Sequence, residues 1–426
     1  MAKTYDTYKD SGIAWIGEIP SEWEVLHIKH ALLWKSEKGH GNSQVLSLYR
    51  DLGIVPKDSR DDNHNVTSEN TDEYKFVCKG DFVVNKMKAW QGSMALSNFE
   101  GIVSPAYYVF SFKNENIHKQ YFHHLLRNES YLPEYRRLST GLRVGQWDLG
   151  YEDFKEIPFL LPSLSDQQSI ASFLDTKCGE IDALISLQEE SISELQAYKQ
   201  SVITEAVTKG LDPHAKMKDS GVEWIGEIPE HWEVDKIFRV FKNIGSGTTP
   251  KATEDNNFKG DINWVQSGDI NGGVLHSCKN KISQDVLHKY SSLKVYKAPF
   301  IIVAMYGASV GNISVSKIDG CVNQACCVMS NSNHYLDYLF YTIKSAKDYL
   351  IYRAEGGGQP NISQDKLKNL WLPCPPLHEQ HSIATYLDEK TSQIDSLISL
   401  KQEKIEELKD YKKSIIYEYV TGKKRV

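Results

Sequence analysis

The residues most able to do chemistry are scattered along the sequence and form no known catalytic motif. His123-His124 has no third metal ligand at a spacing typical of zinc sites, so we expect satisfied or solvated histidines. Asp61-Asp62 lies in a polar stretch that predicts a solvated loop. Gly245-Ser246-Gly247 predicts a flexible turn, because the GxGxxG loop that cradles a dinucleotide is absent. These residues predict neither a metal site nor a nucleotide site.

Two further enzyme motifs are missing from the sequence. There is no GxxxxGKS/T loop to hold the phosphates of ATP. An amino-methyltransferase would hold a flipped base with an Asn- or Asp-Pro-Pro-aromatic motif, whereas the one Pro-Pro pair, Pro375-Pro376, follows Cys374. The sequence therefore predicts a chain without catalytic residues. A nuclease site built from scattered carboxylates stays an alternative.

The strongest structural pattern is a heptad spacing of apolar residues in two stretches. Residues 166–209 contain no proline and one glycine, and they predict a helix about 66 Å long. Residues 379–420 repeat this stretch 213 positions later. Each helix is expected to bury a narrow seam against another helix. The predicted seam residues are Leu174, Ile181, Ile185, Ile192, Leu195 and Val202, then Leu387, Ile394, Ile398, Ile405, Leu408 and Ile415.

Polar residues mark the middle and the start of each predicted helix. Gln188 and Lys401 hold matching seam positions and predict a break in the pairing, although an exposed turn where the seam drifts outward fits them as well. Ser165 is a predicted N-cap. Asp166 and Glu379 are expected in the first turns, where a carboxylate interacts favourably with the helix dipole.

A second repeat indicates a tandem duplication. Lys9–Val25 returns as Lys218–Val234, with thirteen of seventeen positions identical. Anchors such as Trp15 and Trp23 predict an extended arm that docks on its own scaffold, or else forms a ligand site used twice. The predicted boundaries are a docking arm at 1–26, a variable domain at 27–162, a long helix at 163–210, a linker with the repeated arm at 211–235, a second variable domain at 236–375 and a second long helix at 376–426.

The variable regions predict mixed α/β domains. Five apolar runs in the first region predict strands, and residues 117–127 predict a helix; the runs are VLSLY, EYKFVC, DFVVNKM, SMAL and IVSPAYYVFSF. The second region is a diverged copy, since residues 311–328 align with residues 92–109. The predicted fold class is therefore α+β, with two α/β domains and two long helices.

Charge is distributed unevenly along this chain of net charge −7. Residues 166–209 carry a net −5, whereas residues 79–143 and 233–372 each carry a net +4. A modest excess of bases in the variable regions gives weak support for phosphate binding.

Composition predicts a cytoplasmic protein. No apolar run is long enough to span a bilayer, and the N-terminus lacks the apolar core of a signal peptide. The seven cysteines are scattered and include no CxxC pair, so neither a disulfide framework nor a zinc site is favoured.

These features together resemble a known family. The arm SGxxWIGEIPxxW, the helix starts QQxIAxxLD and EQxSIAxYLD, and the two variable regions resemble the DNA specificity subunit of type I restriction–modification enzymes. In the second region, residues 245–252 and 260–270 look like the opening of a target recognition domain. The resemblance covers essentially the whole chain.

The resemblance implies a DNA-reading subunit without chemistry of its own. Each variable region would be a target recognition domain that reads one half of a bipartite target on double-stranded DNA. The helices would run antiparallel as a coiled coil, with a pseudo-two-fold tandem repeat, and set the unread spacer. Two modification subunits would supply the adenine-N6 methyltransferase and S-adenosylmethionine. Restriction subunits would add cleavage that depends on ATP and Mg.

Polar loop residues near the excess bases are the candidates for reading base edges. The first domain offers Lys86, Lys88, Gln91, Arg143 and Gln146, with Trp90 and Trp147 as flanking contacts. The second offers Thr248, Thr249, Lys251, Gln266, Ser267, Tyr306, Gln359 and Asn361. Solvated loops or strand packing would explain the same residues. A coiled-coil scaffold whose variable domains bind ligands other than DNA is the alternative function.

Overall fold

A computed structural model describes residues 4–50, 52–59, 67, 70–141, 147–251, 258–354 and 361–426. The chain divides into two compact units. Unit 1 comprises Met1–Glu189 and Gln402–Val426, and unit 2 comprises Glu190–Lys401. Each unit therefore contains one arm, one variable domain and one half of each long helix.

The variable domain of unit 1 is built on a four-stranded antiparallel sheet. Its strands lie in the order Leu32–Lys35, Tyr107–Phe112, Phe82–Asn85 and Met94–Leu96. Two-stranded pairs surround it: Tyr8–Asp10 with Glu18–Pro20, Glu24–His27 with Pro158–Leu161, Leu46–Tyr49 with Gly53–Pro56, Lys75–Val77 with Gly101–Val103, and Ser139–Thr140 with Asp148–Leu149. Its short helices are Ile28–Ala31, Lys119–Leu126, Leu132–Leu138 and Tyr151–Lys155, with 3-10 turns at Lys57–Ser59, Ala89–Gln91 and Glu129–Tyr131.

The variable domain of unit 2 has a five-stranded sheet. Its order is Phe241–Gly245, Cys326–Ser332, Phe300–Ala304, Ile313–Ser316 and Val274–Leu275, and the last pair is parallel. A three-stranded sheet contains Asn280–Ile282, Ile262–Val265 and Cys321–Val322, and two pairs join Met217–Asp219 to Glu227–Pro229 and Glu233–Lys236 to Trp371–Cys374. The short helices are Ile237–Val240, Gln284–Lys289, Leu336–Ser345, Lys347–Tyr352 and Gln364–Lys368, with 3-10 turns at Ser267–Asp269 and Gly307–Ser309.

The predicted elements of the first domain are confirmed with one change. The five apolar runs contain strands, and the predicted helix is Lys119–Leu126. The run IVSPAYYVFSF, however, forms two strands, Gly101–Val103 and Tyr107–Phe112. Pro105 lies between them, where it has no backbone N–H to donate to a sheet.

The two long helices are Leu164–Lys209 and Leu377–Val420, so both predicted helices are confirmed. The predicted N-cap Ser165 is wrong by two residues. Ser163 caps the first helix instead, because its Oγ accepts from the backbone N–H of Asp166 at 3.1 Å. Asp166 and Glu379 do occupy the first turns.

Halves of the two helices pack antiparallel within each unit. In unit 1 the rings of Phe173 and Tyr419 lie 4.4 Å apart, and Lys412 Nζ donates to both oxygens of Asp182 at 2.6 and 2.7 Å. Residue numbers thus rise along one helix as they fall along the other. In unit 2 the matching residues Lys199 and Asp395 form the same bidentate contact at 2.6 Å. The predicted antiparallel helix pair and the α+β class are confirmed.

Two buried glutamines attach the helices to the variable domains. The Gln167 side chain accepts from the backbone N–H of His118 at 2.8 Å, and its amide donates to the backbone carbonyls of Asn116 and Pro162. In unit 2, Gln380 accepts from the backbone N–H of Tyr335 at 2.8 Å and donates to the Pro375 carbonyl. The glutamine shared by both helix-start motifs thus serves as a fixed joint.

Two fully buried tyrosines make a second joint. The Tyr121 hydroxyl lies 3.1 Å from the Leu160 carbonyl and 3.4 Å from the Val420 carbonyl at the end of the second helix. Tyr338 makes the same contacts in unit 2, with Pro373 at 3.1 Å and Val207 at 3.2 Å. The last carbonyls of a helix have no partner within the helix, so these hydroxyls supply one. Burial raises the pKa of both hydroxyls well above their ordinary value, which keeps them protonated donors.

The repeated arm packs on its own unit. Ile19 and Trp23 in unit 1, and Ile228 and Trp232 in unit 2, are almost fully buried in the main core of their unit. This burial favours the scaffold interpretation of the arm over a ligand site.

Candidate nucleic-acid interface

Loops that carry the predicted polar residues converge at one edge of the unit 2 domain. The backbone N–H of Asn323 donates to the Val265 carbonyl at 3.0 Å, which joins the loop after Cys321–Val322 to the residue before Gln266. Met305 donates to the Ala325 carbonyl at 2.7 Å, and Ile362 donates to the Met305 carbonyl at 2.9 Å. These backbone bonds place Gln266, Tyr306 and Asn361 around the loop 323–325.

The segment 245–251 completes this edge. Thr249 Oγ1 donates to Gln324 Oε1 at 2.6 Å, and the Thr248 carbonyl accepts from the indole of Trp264 at 3.2 Å. The backbone N–H of Lys251, whose side chain is exposed, donates to the Tyr290 hydroxyl at 3.2 Å. Thr248, Thr249 and Lys251 therefore lie on a held backbone segment.

Gly245-Ser246-Gly247 is not the predicted flexible turn. Gly245 ends the strand Phe241–Gly245. A Cβ atom at Gly247 would lie 1.8 Å from the carbonyl oxygen of Val322, so the two backbones approach too closely for any side chain. This glycine is required by close packing at the base of the 323–325 loop.

The side chain of Gln266 is fixed by a hydrogen bond, whereas that of Asn361 is exposed. Gln266 Oε1 accepts from Asn280 Nδ2 at 2.8 Å, and the backbone N–H of Gln266 donates to Asp269. Ser267 and Tyr306 are half-buried beside this loop set, and Asn361 is exposed. Gln359 lies outside the described residues.

The corresponding edge of unit 1 is formed by the turn 86–92 and the pair Ser139–Thr140 with Asp148–Leu149. Lys86 Nζ donates to Asp148 Oδ2 at 2.7 Å, and the Leu149 N–H donates to the Lys86 carbonyl at 3.0 Å. The Asp148 side-chain hydrogen bond, opposed by partial burial, leaves the pKa of Lys86 raised. This lysine is therefore neutralised by an acid.

Trp90 and Trp147 stand beside this ion pair. Their rings pack edge to face with centroids 5.3 Å apart. The indole N–H of Trp90 is buried and has no hydrogen-bond partner among the described residues. Lys88 is exposed and Gln91 half-buried in the same turn. Arg143 and Gln146, which precede Trp147, lie outside the described residues.

Sequence reasoning missed Gln324 and Lys75. Gln324 is exposed at the centre of the unit 2 loops. Lys75 is buried in unit 1, where its ammonium donates to the Pro105 carbonyl at 2.9 Å and also to the Tyr107 carbonyl. Burial lowers the pKa of Lys75. The sequence contains one signal for Gln324, because this polar residue replaces Pro105 at the matching position of the diverged repeat. No local pattern in the sequence distinguishes Lys75 from other lysines.

The two adjacent histidines have protein partners. His123 is half-buried, and its Nδ1 accepts from the Leu96 N–H at 3.0 Å. Burial, reinforced by the charge of Arg127, lowers the pKa of His123 well below its ordinary value. His124 Nε2 lies 2.7 Å from Asp175 Oδ1. Among the described residues no group of three or more His, Cys, Asp or Glu side chains could hold a metal ion. The predicted loop at Asp61-Asp62 lies outside those residues.

The predicted seam residues all lie at least partly inside their units. Those nearly or fully buried are Leu174, Ile181, Val202, Leu387, Ile394, Ile405 and Ile415, and those half-buried are Ile185, Ile192, Leu195, Ile398 and Leu408. Gln188 and Lys401 are half-buried, and the division between the two units falls one residue after Gln188 and directly after Lys401.

Comparison with known proteins identifies the family. The family described as type I restriction modification DNA specificity domain matches residues 20–197 and again residues 229–410. The chain belongs to this family. The double match also confirms the tandem repeat and the predicted role in DNA specificity. No helix in the described part of the chain has the length and apolar character needed to cross a membrane.

Two relatives extend the similarity over nearly the whole chain. The chain is 25% identical to the putative type I restriction enzyme MjaX specificity subunit of Methanocaldococcus jannaschii, with 96% of each chain covered. It is 27% identical to the MjaVIII specificity subunit of the same organism, covering 96% of this chain and 94% of that one. A solved chain of a type I R-M system has the same fold, with a TM-score of 0.71, 17% identity and coverage of 94% and 98%.

Proposed function

We propose that this chain is the DNA specificity subunit of a type I restriction–modification complex, with one half of a bipartite target read by each variable domain. The double family match carries the proposal. The polar loop edge in each unit supports it, because donors and acceptors on held loops are what base readout requires. The non-DNA scaffold alternative has no support from the family.

The chemistry in this proposal belongs to partner subunits. Two modification subunits supply adenine-N6 methylation with S-adenosylmethionine, and restriction subunits supply cleavage that depends on ATP and Mg. Free thiols at all seven cysteines fit the reducing cytoplasm that we propose as the location. DNA cleavage by this purified chain alone would contradict the division of labour and restore the nuclease alternative.

The central test is the methylation pattern that the chain directs. In cells that express it with its modification subunit, single-molecule sequencing of methylated adenines is expected to show one bipartite motif with a fixed spacer. Cells that express the modification subunit alone are the control. A methylation motif without an unread spacer, or one that is also found in the control cells, would contradict the proposal.

Exposed apolar residues on the helices support docking of two like subunits. Leu184 and Leu187 in unit 1 are 46% and 56% exposed, and the residues 213 positions later in unit 2, Leu397 and Leu400, are 48% and 61% exposed. The spacing within each set puts its members on one side of its helix. Side chains of this kind are covered by an apolar helix of a partner.

Charged substitutions test this docking surface. Leu187→Glu and Leu400→Glu are each expected to remove one modification subunit from the purified complex, and the double variant to remove both. Ser193→Glu adds the same charge at an exposed position of the first helix that lies about 120° around the helix axis from Leu187 and about 180° from Leu184, and it should leave the complex intact. Subunit ratios from light scattering decide the matter; two bound copies on the double variant would exclude these sites.

The helices are also proposed to set the spacer length. Deleting residues 186–192 together with 399–405 keeps the two copies in register and shortens each helix by about 10 Å, or about three base pairs of DNA. The methylation motif should then have a shorter spacer, or methylation should cease. An unchanged spacer would show that the helices do not measure it.

A further inference from the structure

The loop 323–325 at the edge of unit 2 holds an exposed glutamine in a defined orientation. Thr249 Oγ1 donates to Gln324 Oε1 at 2.6 Å. An amide oxygen has two lone pairs, so one stays available, and the amide nitrogen keeps two donor hydrogens. Among the described residues, no side chain or carbonyl accepts from that nitrogen. The bond to Thr249 therefore positions the amide oxygen of Gln324 and leaves one lone pair and both N–H groups for recognition.

Both ends of this pair rest on held backbone. Ser246 Oγ donates to the Asn323 and Gln324 carbonyls at 3.4 and 3.3 Å, and Asn323 Oδ1 accepts from the Ala325 N–H at 3.1 Å. The Thr248 carbonyl next to Thr249 is held by the Trp264 indole. A polar group that is already ordered loses little conformational entropy on binding, which favours a role in recognition.

Unit 1 has no glutamine at the position that matches Gln324. In the diverged repeat, Val322–Ala325 aligns with Val103–Ala106, which sets Pro105 opposite Gln324. Proline has no side-chain donor or acceptor, and the Pro105 carbonyl is already held by the Lys75 ammonium at 2.9 Å. The same place in the fold thus offers an amide in one unit and none in the other.

We infer that Gln324, oriented by Thr249, reads an adenine in the half-site of the unit 2 domain. A glutamine amide pairs with adenine in the major groove by donating to N7 and accepting from N6. The second lone pair of Oε1 is suited to that N6 contact while the first accepts from Thr249. Gln324 is a specificity-determining residue and Thr249 a positioning residue. The inference rests on the proposed DNA specificity function.

The test compares methylation motifs directed by the full chain together with its modification subunit. Gln324→Ala should lower discrimination at one A·T position of one half-site by roughly ten- to one-hundredfold, leaving the other half-site unchanged. Gln324→Glu keeps the shape but presents only acceptors, so preference at that position should move toward cytosine, whose N4 donates. Thr249→Val should weaken the same position less. Gln393→Ala, at an exposed glutamine on the second long helix, is the matched control.

The outcomes separate the inference from the function on which it rests. If the wild-type chain directs no bipartite motif, the proposed function fails. If it does, and both Gln324 variants keep the wild-type base at every position, the inference is overturned while the function stands. A purely structural tie between the loops would lower the thermal stability of the Gln324→Ala variant, which loses the acceptor for Thr249, without changing any base preference, and that result also overturns the inference.

Discussion

The repeated arm has nearly the same sequence in both units, yet its two indole groups are satisfied in only one. In unit 2, the Trp224 indole donates to the Trp371 carbonyl at 3.2 Å and the Trp232 indole donates to Glu379 at 2.9 Å. In unit 1, the indole N–H groups of Trp15 and Trp23 are buried without a hydrogen-bond partner among the described residues.

The difference arises outside the repeated motif. Position 379 is a glutamate in unit 2, whereas its counterpart in unit 1 is Asp166, which is one methylene shorter and accepts from Ser163 Oγ at 2.9 Å. The Trp224 indole donates to the backbone carbonyl of Trp371, and Pro158 at the matching position of unit 1 has a backbone carbonyl as well, so the residue exchange at this position does not explain the Trp15 indole. Trp23 and Trp232 occupy the same position of the repeated arm, yet among the described residues only Trp232 has a hydrogen-bond acceptor, because the acid facing it is longer.

The antiparallel packing of the long helices is the same in both units, and disrupting it should lower the free energy of unfolding more than any other change considered below. Leu174 and Leu387 are matching seam residues that are both fully buried. Alanine at either position should lower the free energy of unfolding by about 2–5 kcal/mol, measured by chemical denaturation. The controls are Leu184→Ala and Leu397→Ala at exposed positions of the same helices. A large loss at only one seam position would show that the two units pack differently.

The tyrosine joints should come next in size. Tyr121→Phe and Tyr338→Phe each leave buried carbonyls without their donor, which costs about 1–3 kcal/mol. Similar losses in the two variants would confirm that the joints are equivalent, and denaturation curves can measure both. Tyr198→Phe alters an exposed hydroxyl on a long helix and is the control. A loss below a few tenths of a kcal/mol in either variant would count against that joint.

Acid should distinguish the units through His123, whose counterpart in unit 2 is the buried, non-titrating Phe340. Burial lowers the pKa of His123, so the folded state disfavours the proton that the unfolded state binds. Stability is therefore complete above about pH 6.5 and falls by about 1 kcal/mol per pH unit below it, until the folded-state pKa is reached. Denaturation at several pH values measures this slope.

The variant His123→Gln retains an acceptor for Leu96 but does not titrate, so its slope between pH 6.5 and 5.5 should be shallower than that of the wild-type chain. Unit 2 contains His334, whose pKa is lowered by partial burial and whose Nδ1 lies 2.8 Å from Gln380 Nε2. His334→Gln is thus the comparison variant, with a smaller expected change. An unaltered slope in His123→Gln would show that the acid sensitivity lies elsewhere.

The smallest effect should come from exchanging the acids that face the two tryptophans. Asp166→Glu lengthens the side chain toward Trp23 and should stabilise the chain by about 0.5–1 kcal/mol. Glu379→Asp should shorten the reach to Trp232 and destabilise it by a similar amount. Thermal denaturation of both variants and of their combination tests the idea, which fails if both shifts have the same sign.

The features that sequence predicted correctly depend on local patterns. Heptad spacing gave both long helices, and alternation with turn residues gave the strands. The predicted cap at Ser165 was displaced to Ser163, because several polar residues near a helix start can serve as the cap. The joints were not predictable, since Tyr121 and Val420 are 299 residues apart and no local spacing relates them.

The sequence predicted which polar residues lie in the loops of the candidate interface. It did not predict which of their side chains are already paired with other residues. The backbone of unit 2 brings Thr249, Gln266 and Asn361 to one edge, but the sequence could not show that Gln324 completes it. It also could not show that Lys86 is paired with Asp148. Which polar side chains remain available depends on partners across the sheet, and these are set by the tertiary fold.

The glutamine joints bear on how such a protein can change over evolutionary time. Among the described residues, the Gln167 side chain forms hydrogen bonds only with backbone atoms, and the Gln380 side chain forms them with two backbone atoms and with His334. A joint made to backbone atoms accepts almost any domain sequence that keeps the local backbone course. A foreign variable domain recombined between an arm and a long helix would therefore form the same hydrogen bonds with the helix. A single genetic exchange would then change the half-site and leave the helices unchanged.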